Sequence, residues 1–431
     1  VAEAPAADDA GHWAVHREEH SLTIGLRYLA PAGAPIRLPD LARWARVALS
    51  SSDAAEVLRQ VIRDRFGVRH CALTSTGRAG LTLLLRAMRR LAAAGRDEVV
   101  LPSYTCYSVA ASIAKAGLRP RLVDIRPDTL DYAPEAIAQT DFSRVVALIA
   151  TNLYGMPSDL PGLAAVARRH GVFLIDDAAQ SMGASVGGRW SGTWGDAGLF
   201  SFDKGKNVSA IDGGMVVTSS EDLARALRLE MADLPTAGAV ASGFHIVKAL
   251  AYFTLLRPWL YGIPTKIPQL ALGKTVYTTD FPLQHSDPSL VALGLVMMRR
   301  LDDFTRARQL NAAAWLDGLR GISGLQTVVP GAGTTPVYLR LPVLFPDAAS
   351  RDAAITGLTA AGIGATASYP HALADVPEVR QVAANPSEPA AGSRLVAARI
   401  VTLPTHPFVT RSDINRTVAL IQRKLGSRCT A

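Results

Sequence analysis

Apolar runs of strand length occur at 70–73, 98–101, 121–123, 145–150 and 172–175. Between them, 78–90, 108–115 and 160–170 carry apolar positions at helical spacing. Strands alternating with helices predict a mostly parallel sheet covered on both faces, an α/β architecture. Upstream, Ser50-Ser51-Ser52-Asp53 reads as a cap for a helix ending near Phe66. Residues 1–50 show little periodicity and read as an extension. Two short runs, 199–202 and 215–218, flank a Gly-rich stretch and suggest paired strands.

Beyond Thr218 the pattern changes. A helix near 221–231 leads into an irregular insert, 233–287, with several prolines and an apolar helix around Tyr252. A long helical segment is expected over 288–319, then a strand over 335–345, helices near 351–361 and 412–425, and a loop holding Tyr369-Pro370-His371. The expected organisation is an N-terminal extension (1–50), a large α/β domain (51–287) containing the insert, and a smaller α+β domain (288–431).

Composition refines this picture. Of 431 residues, 49% are hydrophobic and 19% charged, so a large core is available and global disorder is excluded. The net charge of +8 suits an anionic ligand such as a nucleotide or phosphate, though it reads first as solubility in an Arg- and Ala-rich sequence. Basic residues are scattered and not interleaved with aromatics, so nucleic acid is not expected as a partner. Cys71, Cys106 and Cys429 are too few and too dispersed for a disulfide framework. With no signal-peptide pattern in the opening residues, a cytoplasmic setting is expected. No apolar run reaches membrane-spanning length. The nearest, 249–256, is bounded by Lys248 and Arg257. It reads as a buried or interface helix, with surface docking on a membrane as the alternative.

Several motif fragments carry no chemistry. Gly273-Lys274-Thr275 lacks the glycine that a phosphate-binding loop needs five residues earlier, where Pro268 stands. His16, Glu19 and His20 match a zinc-protease pattern but lie in a polar stretch without a presenting helix. No metal site is expected. No dinucleotide fingerprint follows any strand.

Three segments do carry chemistry. Residues 73–88 are a strand, a small-residue turn and a helix, so Gly77, Arg78 and Ala79 sit where free backbone N–H groups can hold phosphate. The strand at 172–175 ends on Asp176 and Asp177, at the sheet edge where such folds bind ligands, and only one of the two can face a given pocket. Lys204 and Lys206 lie between a short strand and Gly213-Gly214, in a turn able to activate an amine.

Together, from about residue 55 to the C-terminus, these segments resemble the DegT/DnrJ/EryC1/StrS family of sugar aminotransferases, pyridoxal-phosphate enzymes of fold type I. Phe200-Ser201-Phe202-Asp203-Lys204-Gly205-Lys206 matches the family's F-S-F-H-x-x-K, and Asp176-Asp177-Ala178-Ala179-Gln180 its E-D-A-A-Q. The resemblance implies that Lys206 forms the Schiff base with pyridoxal 5′-phosphate and then acts as the proton-moving base. It implies that Asp177 pairs with the pyridine nitrogen. Gln180 would bond near the 3-oxygen, and Ser201 with the 77–79 backbone would hold the phosphate. It further implies a homodimer that moves an amino group, with L-glutamate as donor, to a keto sugar linked to a nucleotide. Rival readings are a keto-cyclitol or other small ketone, another lysine-dependent reaction on the same cofactor, and a non-catalytic binding module.

Four departures from the family stand out. The ring-stacking position falls on Cys106, so Tyr104, Tyr107 or Cys106 itself covers the ring. Asn152 stands where His is usual. Asp203 replaces the motif's His. The family's N-Y-R stretch, whose Asn reaches the partner's cofactor phosphate, reads here as 277–287 without Asn, leaving Gln284 or His285 as substitutes. The late motifs Arg308–Ala312, Tyr369-Pro370-His371 and Leu403-Pro404 are present.

Overall fold

The computed structural model describes residues 27–50, 53–265, 267 and 276–426. The 16–20 pattern, the 273–275 fragment and Cys429 lie outside them.

Among the described residues thirteen strands are numbered in chain order. They are β1 (His70–Thr74), β2 (Glu98–Pro102), β3 (Arg119–Val123), β4 (Val145–Thr151), β5 (Phe173–Asp177), β6 (Ser185–Val186), β7 (Arg189–Trp190), β8 (Ala197–Ser201), β9 (Gly214–Thr218), β10 (Gln326–Thr327), β11 (Thr334–Thr335), β12 (Arg340–Leu344) and β13 (Ile400–Pro404). The main sheet has seven strands in the order β1-β9-β8-β5-β4-β2-β3. The core from β8 to β3 is parallel, and β9 pairs antiparallel with both β8 and β1. Every residue of β2, β4, β8 and β9 is buried, the expected result of covering both faces with helices. The fold is therefore the α/β architecture expected, with the carboxyl ends of β4, β5 and β8 at one edge. β10, β12 and β13 form a second, antiparallel sheet, and β11, β6 and β7 a third.

Helix starts follow local chemistry. Thr76 Oγ1 accepts the Ala79 N–H at 3.0 Å and opens helix Gly77–Leu91. Asp159 caps Leu160–His170 through the Gly162 N–H at 3.1 Å, and Gly171 ends that helix at φ 59°.

Four expectations change. Part of the presumed extension, Leu38–Ser50, is a helix. Its buried Trp44 donates to Ser289 O at 2.7 Å, and Asp40 pairs with Arg300 at 2.7 Å. The long segment 288–319 is two helices, Pro288–Met298 and Leu301–Leu319. The first packs with Leu58, Ile62 and Met215 beneath the main sheet, whereas the second carries Trp315 into the core of the smaller sheet. The single strand expected over 335–345 is split into β11 and β12 by Tyr338, which adopts φ 54°. The apolar helix of the insert, Ala239–Leu255, buries only Ala249, so it is not a core helix.

Candidate active site

A cleft of about 360 Å³ opens at the carboxyl edge of the main sheet. Its wall draws Gly77 and Arg78 from the turn after β1, Cys106 from beyond β2, Thr151 from β4, Asp177 and Gln180 from β5 onward, and Ser201 and Lys206 from β8 onward. The three chemistry-bearing segments of the sequence thus converge on one space.

β5 separates its two aspartates by strand alternation. Asp176 turns away and is fully buried, accepting from Asn152 Nδ2 at 2.8 Å, Gly192 N at 2.6 Å and Trp194 N at 3.2 Å. Burial pushes its carboxyl up to about 6 despite these donors. It fastens the 190–194 loop. Asp177 faces the cleft, and its carboxylate accepts the Ala179 N–H at 3.0 Å. Burial raises its pKa, while that N–H and the nearby Lys206 charge pull it down.

The lysines also divide. Lys206 lines the cleft, held by a turn in which its N–H donates to Asp203 O at 3.0 Å. Lys204 is exposed, and its carbonyl accepts the Tyr252 hydroxyl at 2.9 Å. Ser201 ends β8 directly under Gly77. A Cβ at Gly77 would lie 3.2 Å from Ser201 Cβ and 3.3 Å from its Oγ, so glycine permits this approach. The N–H groups of Gly77 and Arg78 are at the first turn and border the cleft. The Ala79 N–H is occupied by Thr76 Oγ1, and Ala79 is not part of the wall.

Gln180 is fixed at both ends of its amide. Oε1 accepts the Tyr154 N–H at 3.0 Å, and Nε2 donates to the Tyr369 hydroxyl at 3.0 Å. The expected ring-covering tyrosines are elsewhere. Tyr104 is fully buried with its hydroxyl 3.3 Å from that of Tyr154, and Tyr107 clamps His371 by accepting its N–H at 2.9 Å and donating to its carbonyl at 3.1 Å. Cys106 is the residue of this trio on the wall, its Sγ 2.9 Å from Ser108 Oγ. In this chain Gln284 and His285 lie against the edge of β1, where Gln284 O accepts the Ser75 N–H at 3.0 Å, and not in the cleft.

Sequence reasoning missed three contributors. Asn152, noted only as a replacement for His, is a latch: Nδ2 bonds both Asp176 Oδ1 and Asp177 O at 2.8 Å, and Oδ1 accepts the Ser158 N–H at 3.0 Å. Asp212 joins Asp203 on the wall, and burial together with that neighbouring carboxylate pushes it up to about 6. Arg308, noted only as the start of a late motif, is fully buried, with Nε on Asn207 Oδ1 at 2.8 Å, Nη2 on Gly33 O at 2.8 Å and Nη1 on Leu339 O at 3.0 Å. It ties the residue after Lys206 to the smaller sheet. Among the described residues no His/Cys/Asp/Glu group could hold a metal ion.

The DegT/DnrJ/EryC1/StrS aminotransferase family model matches residues 47–240 and 289–422. The UDP-N-acetyl-3-dehydro-alpha-D-glucosamine 3-aminotransferase of Acidithiobacillus ferrooxidans is 28% identical over 362 residues, covering 83% of this chain and 85% of that protein. The L-glutamine:2-deoxy-scyllo-inosose aminotransferase of Streptomyces fradiae is 30% identical over 302 residues, covering 69% of this chain and 64% of that one. The crystal structure of the aminotransferase TlmJ from Streptoalloteichus hindustanus superposes with a TM-score of 0.75 at 25% identity, covering 93% of this chain and all of that one. The stretch between the two matched parts, 241–288, falls largely within the insert. The chain therefore belongs to the DegT/DnrJ/EryC1/StrS aminotransferase family and is a pyridoxal-phosphate-dependent transaminase of fold type I.

Proposed function

We propose that the cleft binds pyridoxal 5′-phosphate and that the enzyme moves an amino group from L-glutamate to the ketone of a nucleotide-linked sugar. The observation that carries this reading is the convergence of Lys206 and Asp177 in one cleft, with Lys204 and Asp176 turned out of it. The residues present fit the cofactor. Thr151 Oγ1 is buried on the wall without a partner, and Gly77, Arg78 and Ser201 line the same wall, with Gly77 leaving room above Ser201 Oγ. Phosphate would be held by Ser201 and the Gly77–Arg78 backbone, the ring nitrogen by Asp177, the 3-oxygen side by Gln180, and the carbonyl carbon by Lys206. Cys106, with its compact side chain, would lie on the ring face.

The bound cofactor supplies an electron sink for bond breaking at the α-carbon of the amino substrate. Everything else is done by the chain. Asp177, buried with its carboxylate held by the Ala179 N–H, would pair with the ring nitrogen and favour its protonated form. Lys206 Nζ, freed by the amino donor, would take the proton from the α-carbon and deliver it to the cofactor's C4′. The Tyr154–Gln180–Tyr369 bonds hold the amide in one orientation. The net positive charge supports an acceptor carrying a diphosphate. The Streptomyces relative's name favours a second reading, a free cyclitol ketone with L-glutamine as donor. We further infer a homodimer in a reducing cytoplasm, in keeping with the free thiols Cys71 and Cys106. The test is a panel: donors L-glutamate and L-glutamine against nucleotide-linked keto sugars and keto-cyclitols. Turnover of the amine-loaded cofactor by a nucleotide-linked ketone supports the first reading. Turnover by cyclitols alone supports the second.

A further inference from the structure

Helix Ala239–Leu255 is apolar on all sides yet mostly open to solvent. A helix of that composition is normally buried. Here Val240 is 90%, Phe244 59%, Val247 60% and Leu250 45% exposed. Positions 240, 244, 247 and 250 form one stripe at helical spacing. Trp259 and Ile263 extend the exposed apolar surface beyond the helix. Exposed apolar side chains concentrated in one segment mark an interaction surface.

The charges around the stripe indicate what covers it. Residues 234–265 contain no Asp or Glu, while Lys248 and Arg257 are present. Lys248 is exposed with its Nζ 4.5 Å from the Phe244 ring, while the half-buried Arg257 guanidinium lies 5.0 Å from the Phe253 ring and 5.8 Å from that of Phe408. The Lys248 stem thus runs along the apolar surface of its own helix. Aliphatic side chains, an exposed tryptophan and cations without carboxylates are the complement of an anionic lipid surface. A second copy of this chain fits less well. A two-fold contact would set like patches face to face with no carboxylate to pair the cations. Among the described residues no helix is long and apolar enough to cross a membrane, so the segment would lie on the surface.

We propose that helix Ala239–Leu255, with Trp259 and Ile263, docks the enzyme on an anionic membrane surface. The helix is firmly tied to the enzyme body. The Tyr252 hydroxyl donates to Lys204 O and accepts the Ala34 N–H, each at 2.9 Å. Docking would therefore fix the turn bearing Lys206 relative to the membrane.

The experiment is co-sedimentation of the full chain with phosphatidylglycerol/phosphatidylcholine vesicles and with pure phosphatidylcholine vesicles. The expected result is binding to the anionic vesicles, weakened by salt. The variant V240S/F244S/V247S should lower the partition by about tenfold or more, because the lost side chains are the ones that insert. K248E should remove the preference for anionic lipid. Neither change should alter transamination of soluble substrates or the thermal midpoint. Absence of binding to either vesicle overturns the proposal, as does binding that ignores the triple substitution. Light scattering that shows the triple variant dissociating from a dimer to a monomer also overturns it, and assigns the stripe to a subunit interface.

Discussion

Replacing Asp177 by Asn separates the chemistry of the cleft from its stability. Asp177 is 8% exposed, and its carboxylate accepts the Ala179 N–H, which the Asn oxygen can still accept. Folding without cofactor should therefore not suffer. The sign follows from burial, which raises the Asp177 pKa above its unfolded value. Such a group contributes most at low pH, and its contribution is lost as pH rises through the folded pKa. At pH 7 the charged carboxylate costs stability that Asn does not, so cofactor-free D177N should melt at the same temperature or higher. The gain should shrink in acid. Catalysis should move the other way, because the variant leaves a protonated ring nitrogen unpaired in a buried site. Removing one member of a buried ion pair costs about 3–5 kcal/mol. At about 1.4 kcal/mol per tenfold, this slows the donor half-reaction by about 150- to 5,000-fold. Stopped-flow absorbance of the cofactor on mixing with L-glutamate reads the rate, and calorimetry of the cofactor-free protein reads stability. A rate within threefold of wild type would refute the role of Asp177. So would a rate loss matched by an equal loss of stability.

Three further outcomes follow from the same geometry. Gly77→Ala places a Cβ 3.2 Å from Ser201 Cβ and should weaken cofactor binding by about 1–3 kcal/mol, read by equilibrium titration of the cofactor-free enzyme. Asp212 is pushed up to about 6 by burial and Asp203, so D212N should raise the thermal midpoint at pH 7–8 and lose that advantage as the pH falls below 6. Arg308→Lys keeps a charge but loses the fork that reaches Asn207, Leu339 and Gly33, and should destabilise the fold by about 2–4 kcal/mol in denaturant titration.

The sheet core was legible because its strands are short, unbroken apolar runs between helices of clear period. Asp177 and Lys206 were legible through their motifs, and strand alternation explains why only one aspartate of the pair reaches the cleft. Other features depend on contacts distant in sequence. Helix Leu38–Ser50 has an apolar face at Leu41, Trp44 and Val47, but its partners, Ser289 and Arg300, lie about 250 residues away. The break between Pro288–Met298 and Leu301–Leu319 carries neither proline nor glycine, and only packing against two different cores reveals it. Tyr104 and Tyr107 read as candidates to cover the ring because they flank Cys106, which stands at the family's ring-stacking position. In the fold their hydroxyls are committed to Tyr154 and His371. Asp212 meets Asp203 through a bridge formed at Ile211, whose φ of 76° no local sequence signal announces.

The central claim is that Lys206, not Lys204, carries the cofactor. Borohydride reduction of the enzyme reconstituted with pyridoxal 5′-phosphate, followed by peptide mapping, tests it directly. A single phosphopyridoxyl label on Lys206 is expected, absent after prior incubation with L-glutamate. A label on Lys204, or no label despite saturating cofactor, would contradict it.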